Sequence, residues 1–294
     1  MPSIGPRWPI GGASLVPSGS SAALPSGDTD TEENMSKVLY DIADGVAHVR
    51  INRPDVLNAM DHDVFFGLRD AAQRAEADPV VRALVLSGEG RAFSSGLDTS
   101  LFAGGIDGGG NPLALDIASL QSCFTAYEET RVPTIAAIRG LALGGGIQLA
   151  AACDLRVAGE DAELAVYEIR WGIIPDLGGT QRLPRLIGLG RAKELVFTGR
   201  RVGAAEALSW GLVNRVVSPD RVIEEALAWA SELAAGPPLA LSAAKRLTTS
   251  AYDVPLSAGL EREAMINRRL LASDDFREAV VARFEKRSPH FTAR

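Results

Sequence analysis

Three consecutive glycines, Gly144-Gly145-Gly146, set between a strand-like and a helix-like run, constrain this chain more than any other stretch. The strand-like run is Thr134 to Ile138, and the helix-like run, Ile147 to Cys153, contains neither Pro nor Gly. Glycine admits backbone conformations closed to other residues and lets a ligand come close to the main chain. A helix beginning there aims unpaired N–H groups and the positive end of its dipole at that ligand. Such a place suits an oxygen that carries, or is about to carry, negative charge. Taken alone, the motif reads first as a tight turn in a packed α/β protein, because short glycine motifs recur by chance. The rest of the chain reverses that order.

A chain of 294 residues is one long domain or two small ones, with ample length for a buried core. A formal net charge of −7, without a basic run interleaved with aromatics, argues against nucleic acid as a partner. Cys123 and Cys153 are too few and too far apart for a disulfide framework or a metal knuckle, so no metal is expected. Both fall in apolar helical patterns and read as buried thiols. No apolar run approaches the roughly 20 residues that span a bilayer, so no membrane partner is expected. Residues 1–34 are dominated by Pro, Gly and Ser without hydrophobic periodicity and read as a disordered extension. Arg7 is their sole basic residue and no apolar core follows it, which disfavours a presequence or secretory signal and leaves a cytoplasmic location as the expectation. Met35 is a candidate start for the working protein.

From Ser36 the pattern becomes structured. In Gly45 to Ile51, Ala47, Val49 and Ile51 alternate with Val46, His48 and Arg50, as in a half-buried strand. Asn52-Arg53-Pro54-Asp55 breaks it as a turn. Asp61 then caps a helix with Val64, Phe65, Leu68, Ala71, Ala72 and Ala75 on one face. Asp78-Pro79 ends that helix, and Val81 to Leu86 is a short apolar strand. Gly90 to Asp98 leads to a glycine-rich loop, Gly104 to Gly110, either mobile or shaped around a ligand. Pro112 to Thr130 has helical spacing, with Leu113, Ile117, Leu120, Phe124 and Tyr127 inward. After Asp154, Leu155 to Ala158 and Glu163 to Tyr167 read as strands, with Glu168 at the end of the second. A loop, Gly172 to Gly179, precedes a helix over Thr180 to Ile187. From Gly190 helices dominate, with Val213 to Val217 as one further strand. The element order predicts an α/β fold, with a core over 35–230 and a helical region over 231–294.

Several segments together resemble the crotonase (enoyl-CoA hydratase/isomerase) superfamily. They are Asn52-Arg53-Pro54 with Leu57-Asn58-Ala59, Ala92 to Asp98, Leu143 to Gln148, Cys153-Asp154, and Gly178-Gly179-Thr180-Gln181-Arg182-Leu183. Thr198-Gly199, Ala204-Ala205-Glu206-Ala207 and the closing Phe284-Glu285-Lys286-Arg287 continue the likeness in order. The resemblance implies a spiral of ββα units with a C-terminal helical trimerisation region, assembled as a homotrimer or hexamer. It implies an acyl-CoA thioester substrate and no separate cofactor, coenzyme A being part of the substrate. It also implies an oxyanion hole from two main-chain N–H groups, here Leu97 and Gly145. The chemistry requires such donors independently: removing a proton beside a thioester makes an enolate, and fixed N–H groups matter most where that charge develops.

The carboxylates decide among reactions. Glu168 matches a glutamate of family hydratases, but their second glutamate is here Gln148, and a neutral amide neither gives nor takes a proton as acid or base. Eight residues after Glu168 stands Asp176, at a position where dienoyl-CoA isomerases of the superfamily resemble this chain. The implied chemistry is double-bond migration, with Glu168 and Asp176 on either side of the substrate chain. Hydration with a water held by Gln148, and a catalytically silent acyl-CoA binder, are the alternatives. Without those motifs, Glu168 reads as a solvated charge and Asp176 as a turn former. Lys286 matches a family lysine that approaches coenzyme A and is read equally as a solvated helix charge; Arg53 and Arg91 are weaker candidates, read first as solvated turn and loop charges. His48, His62 and His290 match no family site, and Ser94 and Ser95 lack the spacing of a nucleophile elbow.

Overall fold

A computed structural model describes residues 36–101 and 116–293. The expected disordered extension and the Gly104 to Gly110 loop lie outside the described residues. Strands β1 (Val38–Ala43), β2 (Val46–Ile51), β3 (Ala83–Gly88), β4 (Thr134–Ile138), β6 (Leu155–Gly159) and β9 (Arg215–Val217) form one sheet in the order β1-β2-β3-β4-β6-β9. Only β1 and β2 pair antiparallel; the remaining neighbours are parallel. A second sheet joins β5 (Leu141–Leu143), β7 (Glu163–Ala165) and β8 (Val202–Gly203) in the order β5-β7-β8.

Both faces of the larger sheet are covered, which is why its parallel strands are almost continuously apolar. On one face, Ala47, Val49, Ile51, Leu84 and Leu86 pack with helix α1 (His62–Ala77) and helix α2 (Ile117–Glu129). On the other, Val46, Ala83, Val85, Ile135, Ala137 and Val157 meet Val222, Ala226, Ala230 and Ala234 of a later helix spanning Val222–Ala234. The expected inward face of α1 is buried at every position, and Asp61 caps it by accepting from Val64 N. Helix α2 starts at Ile117, capped by Asp116; Leu120, Phe124 and Tyr127 are buried, whereas Ile117 is half-buried and Leu113 lies outside the described residues.

From β4 to β7 the strands alternate between the sheets. β4 enters the large sheet, β5 the small one, and helix α3 (Gly145–Ala152) follows; β6 and β7 repeat the step. This is the expected spiral of ββα units. After β7 the chain turns through a 3-10 segment, Tyr167–Trp171, into helix α4 (Gly179–Ile187). Helices α5 (Leu189–Thr198) and α6 (Ala204–Trp210) precede β9. Then come α7 (Val222–Ala234), α8 (Pro238–Thr249), α9 (Leu256–Leu271) and α10 (Asp274–Glu285). In this chain α9 buries no residue, and Leu256, Leu260, Met265, Val281 and Phe284 on α9 and α10 are exposed. Among the described residues no helix is long and apolar enough to cross a membrane.

Candidate active site

The two glycine-bearing loops meet backbone to backbone. Ser94 N donates to Leu141 O at 3.0 Å, and Leu143 N returns a bond to Ser94 O at 3.0 Å. Gly96 has φ +98°, and a Cβ there would stand 2.7 Å from Leu143 O and 3.2 Å from Gly145 N. Any side chain at 96 would therefore push the loops apart. Leu97 Cδ1 lies 3.1 Å from the place a Gly145 Cβ would occupy, so the two proposed donors are neighbours. Among the described residues neither Leu97 N nor Gly145 N has a backbone acceptor. Gly145 is the first residue of α3, where the N–H has no intrahelical partner and the dipole is positive.

Asn58 builds the support under the Leu97 loop. Its Nδ2 donates to Glu89 O at 2.8 Å and Ala92 O at 2.7 Å, while its Oδ1 accepts from Arg53 N at 2.9 Å. Arg53 Nη1 donates to Asp98 Oδ2 at 2.8 Å and to Ala59 O at 2.5 Å, and stands 3.4 Å from Asp61 Oδ2. Arg53 is thus committed to ion pairs that tie the start of α1 to the residue after Leu97. Asp98 is correspondingly held well below the ordinary carboxylate range, to about 2, by its bonds from Ser100 and from Arg53.

Glu168 lies in the first turn of the 3-10 segment, not at the end of β7, which stops at Ala165. The turn carries its side chain inward to the start of α3. A Cβ on Gly144 would stand 3.3 Å from Glu168 Oε1, so the carboxylate lies against the α3 N-cap. It is buried, at 6% exposure. Burial pushes its carboxyl above the ordinary value of 4.5; the Asp176 charge adds to that rise, while backbone and Gln148 hydrogen bonds oppose it. Its Oε2 is buried and has no hydrogen-bond partner among the described residues. An unpaired buried carboxylate oxygen is costly, and its presence calls for an explanation such as a catalytic role or a bound water.

Gln148, completely buried on α3, donates from Nε2 to Glu168 Oε1 at 2.6 Å and accepts at Oε1 from Gly179 N at 2.8 Å. The sequence brings no attention to this link, because its partners are separated by 20 and 31 residues. Asp176 is half-buried, and burial raises its carboxyl too. Its loop is tethered at two carbonyls: Gln121 Nε2 donates to Asp176 O at 2.6 Å, and Arg182 Nη1 to Leu177 O at 3.0 Å. Arg182 is itself fixed by Glu128 at 2.7 Å.

Leu97, Gly145, Gln148 and Glu168 are therefore gathered in one place, with Asp176 close enough for its charge to act on Glu168. Of the candidate coenzyme A residues, Arg53 stands beside this place through its bond to Asp98. Lys286 is exposed and ends α10 in a left-handed conformation, and Arg91 is exposed beside Gly140. None of the described hydrogen bonds or ion pairs connects either side chain to Glu168. No group of His, Cys, Asp or Glu among the described residues is arranged to hold a metal. Asp154 has a structural role: Oδ2 accepts from Thr134 N at 2.7 Å and pairs with the buried Lys245 Nζ at 2.8 Å.

A sequence profile described as enoyl-CoA hydratase/isomerase matches residues 41–294. The chain is 37% identical over 256 residues to a peroxisomal delta(3,5)-delta(2,4)-dienoyl-CoA isomerase of Arabidopsis thaliana, covering 84% of this chain and 92% of that one. It is 32% identical over 262 residues to a crotonyl-CoA hydratase of Syntrophomonas wolfei, covering 87% and 98%. The crystal structure of an enoyl-CoA hydratase from Bacillus anthracis superposes with a TM-score of 0.83 at 35% identity, covering 88% and 100%.

Proposed function

The chain belongs to the enoyl-CoA hydratase/isomerase family, and from that premise we propose that it moves a carbon–carbon double bond in an unsaturated acyl-CoA. The observation that carries this reading is the Gln148–Glu168 bond. A neutral amide occupies the place of a second carboxylate, so water addition with two acid–base glutamates is not available. Proton transfer within the substrate needs no activated water.

In this reading the N–H groups of Leu97 and Gly145 hold the thioester oxygen as it becomes an enolate oxygen. Ionised Glu168 takes a proton from carbon beside the carbonyl. The C–H electron pair enters the enolate, and the negative charge is spread along the conjugated chain. Asp176, its carboxyl raised by burial, returns a proton further along. In the substrate one C–H breaks and one forms with no redox partner; Glu168 ends protonated and Asp176 ionised, and Glu168 loses its proton to solvent while Asp176 regains one before the next turnover. Lys286, Arg53 and Arg91 remain the proposed contacts to coenzyme A, with Arg53 the weakest because its guanidinium already serves Asp98. The exposed apolar side chains of α9 and α10 support assembly as a homotrimer or hexamer, in which a neighbour's Lys286 reaches the site.

Following crotonyl-CoA and a 3,5-dienoyl-CoA by absorbance tests the reaction. The expected result is turnover of the dienoyl thioester and slow change in crotonyl-CoA. Rapid loss of the crotonyl-CoA band with no dienoyl turnover overturns the isomerase reading. The second reading, hydration, draws its support from relatives such as the crotonyl-CoA hydratase, and that outcome would establish it.

A further inference from the structure

We propose that Gln148 is a positioning residue that makes Oε2 of Glu168 the single proton-accepting oxygen of the site; this rests on Glu168 being the acid–base group. The argument begins at Gly179. A backbone N–H only donates, and Gly179 N lies 2.8 Å from one end of the Gln148 amide. That end is therefore the carbonyl oxygen, and the NH2 end faces Glu168 Oε1 at 2.6 Å. An amide NH2 also only donates. Oε1 must accept, and a proton there would make it a much poorer acceptor for this short bond, so protonation favours the other oxygen. When Glu168 takes a proton, the new O–H bond forms on Oε2.

The remaining geometry agrees. Oε2 is the oxygen with no protein partner among the described residues. Gln148 is fully buried on a helix that is buried at every residue, so its amide has no room to swing away. The donor is equally fixed. A Cβ on Gly179 would stand 2.8 Å from Gln148 Oε1 and 2.9 Å from Pro175 Cβ, so only glycine brings its N–H this near. The Gly178-Gly179 pair thereby has a task at the centre of the site: it orients an amide that orients a carboxylate. A carboxylate at 148 would not do the same, since two facing carboxylates share a proton and blur which oxygen is free. With glutamine the choice is made in advance, and one oxygen removes the proton from substrate carbon.

The experiment compares wild type with Gln148→Met, Gly179→Ala and Glu168→Gln, reading kcat, KM and the pH profile on the dienoyl thioester. Gln148→Met is expected to lower kcat by roughly a hundredfold, the scale of a misaligned reacting group, with KM little changed. The acidic limb of kcat should move to higher pH, because a bond that favours the ionised carboxylate is gone. Gly179→Ala should shift the same limb in the same direction from the donor end, and it carries the test if Gln148→Met does not fold. An inactive Glu168→Gln beside a Gln148→Met with wild-type kcat and limb overturns the positioning role alone. So does a fall in thermal midpoint without a limb shift. Full activity in Glu168→Gln overturns the reading of Glu168 itself.

Discussion

Gly96 and Gly145 stand so close that a Cβ on the first would lie 3.2 Å from the backbone nitrogen of the second. The spacing between the two proposed oxyanion donors, Leu97 N and Gly145 N, is thus set by the absence of an atom. Gly96→Ala adds that atom at φ +98°, where a side chain is also strained, and forces the Leu97 loop away from α3. Losing alignment of one donor is worth roughly a hundredfold or more in kcat. Steady-state kinetics should show that fall with a smaller change in KM, and unchanged kcat would contradict the assignment of Leu97 and Gly145.

Asp176→Asn deletes the proposed proton-returning group, a carboxyl that burial raises. Two readouts should move separately. Dienoyl turnover falls by roughly a hundredfold or more, the usual contribution of a positioned acid. The alkaline limb, set by loss of the Asp176 proton, should disappear, because asparagine does not titrate.

Gln148→Glu places a second carboxylate opposite Glu168. Crotonyl-CoA hydration should rise above the wild-type rate, followed as loss of its absorbance, and dienoyl isomerisation should fall. No gain of hydration in a folded variant would show that residue 148 does not set the choice of reaction.

Glu168 also has a consequence for stability. Its folded carboxyl titrates above 4.5, so between 4.5 and that raised value the folded state binds more protons than the unfolded. Stability therefore falls as pH rises through this window. Glu168→Gln should be more stable than wild type at neutral pH, and the difference should vanish below about pH 4, where both states carry a neutral carboxyl. Thermal midpoints across that range decide it.

Lys245 is buried and donates to Tyr127 O and Val132 O at 2.9 Å each while pairing with Asp154 at 2.8 Å. Lys245→Met leaves two carbonyls and a carboxylate without their cation. Breaking a buried pair from one side costs about 3 kcal/mol, or roughly 5 °C in thermal midpoint for a chain of this size. Kinetic constants should change little, because the contact lies at the far end of α3 from Glu168.

The sequence disclosed the elements whose apolar spacing repeats for long enough. The buried face of α1, the strand Thr134–Ile138 and the order of helices at the end of the chain all follow from periodicity. Strands β5 and β8 do not, because three and two residues give no repeat. Glu168 was legible as a residue of interest by motif, but the apolar run before it continues past the end of β7 and hides the turn that swings it inward. The relay from Gly179 to Gln148 and the pairing of Arg53 with Asp98 connect residues 31 and 45 positions apart. Local pattern carries no trace of such contacts, and Arg53 by composition alone reads as a solvated turn residue.

Helix α3 has no exposed face: all eight of its residues are buried, and Arg156, itself buried, closes its far end by donating to Cys153 O at 2.7 Å. A designer seeking a new acyl preference therefore has nothing to alter there without disturbing the interior. Latitude for retuning resides in Ile173 and Ile174, ahead of Asp176, and in Thr99 and Ser100, just past Asp98, which face solvent rather than the interior.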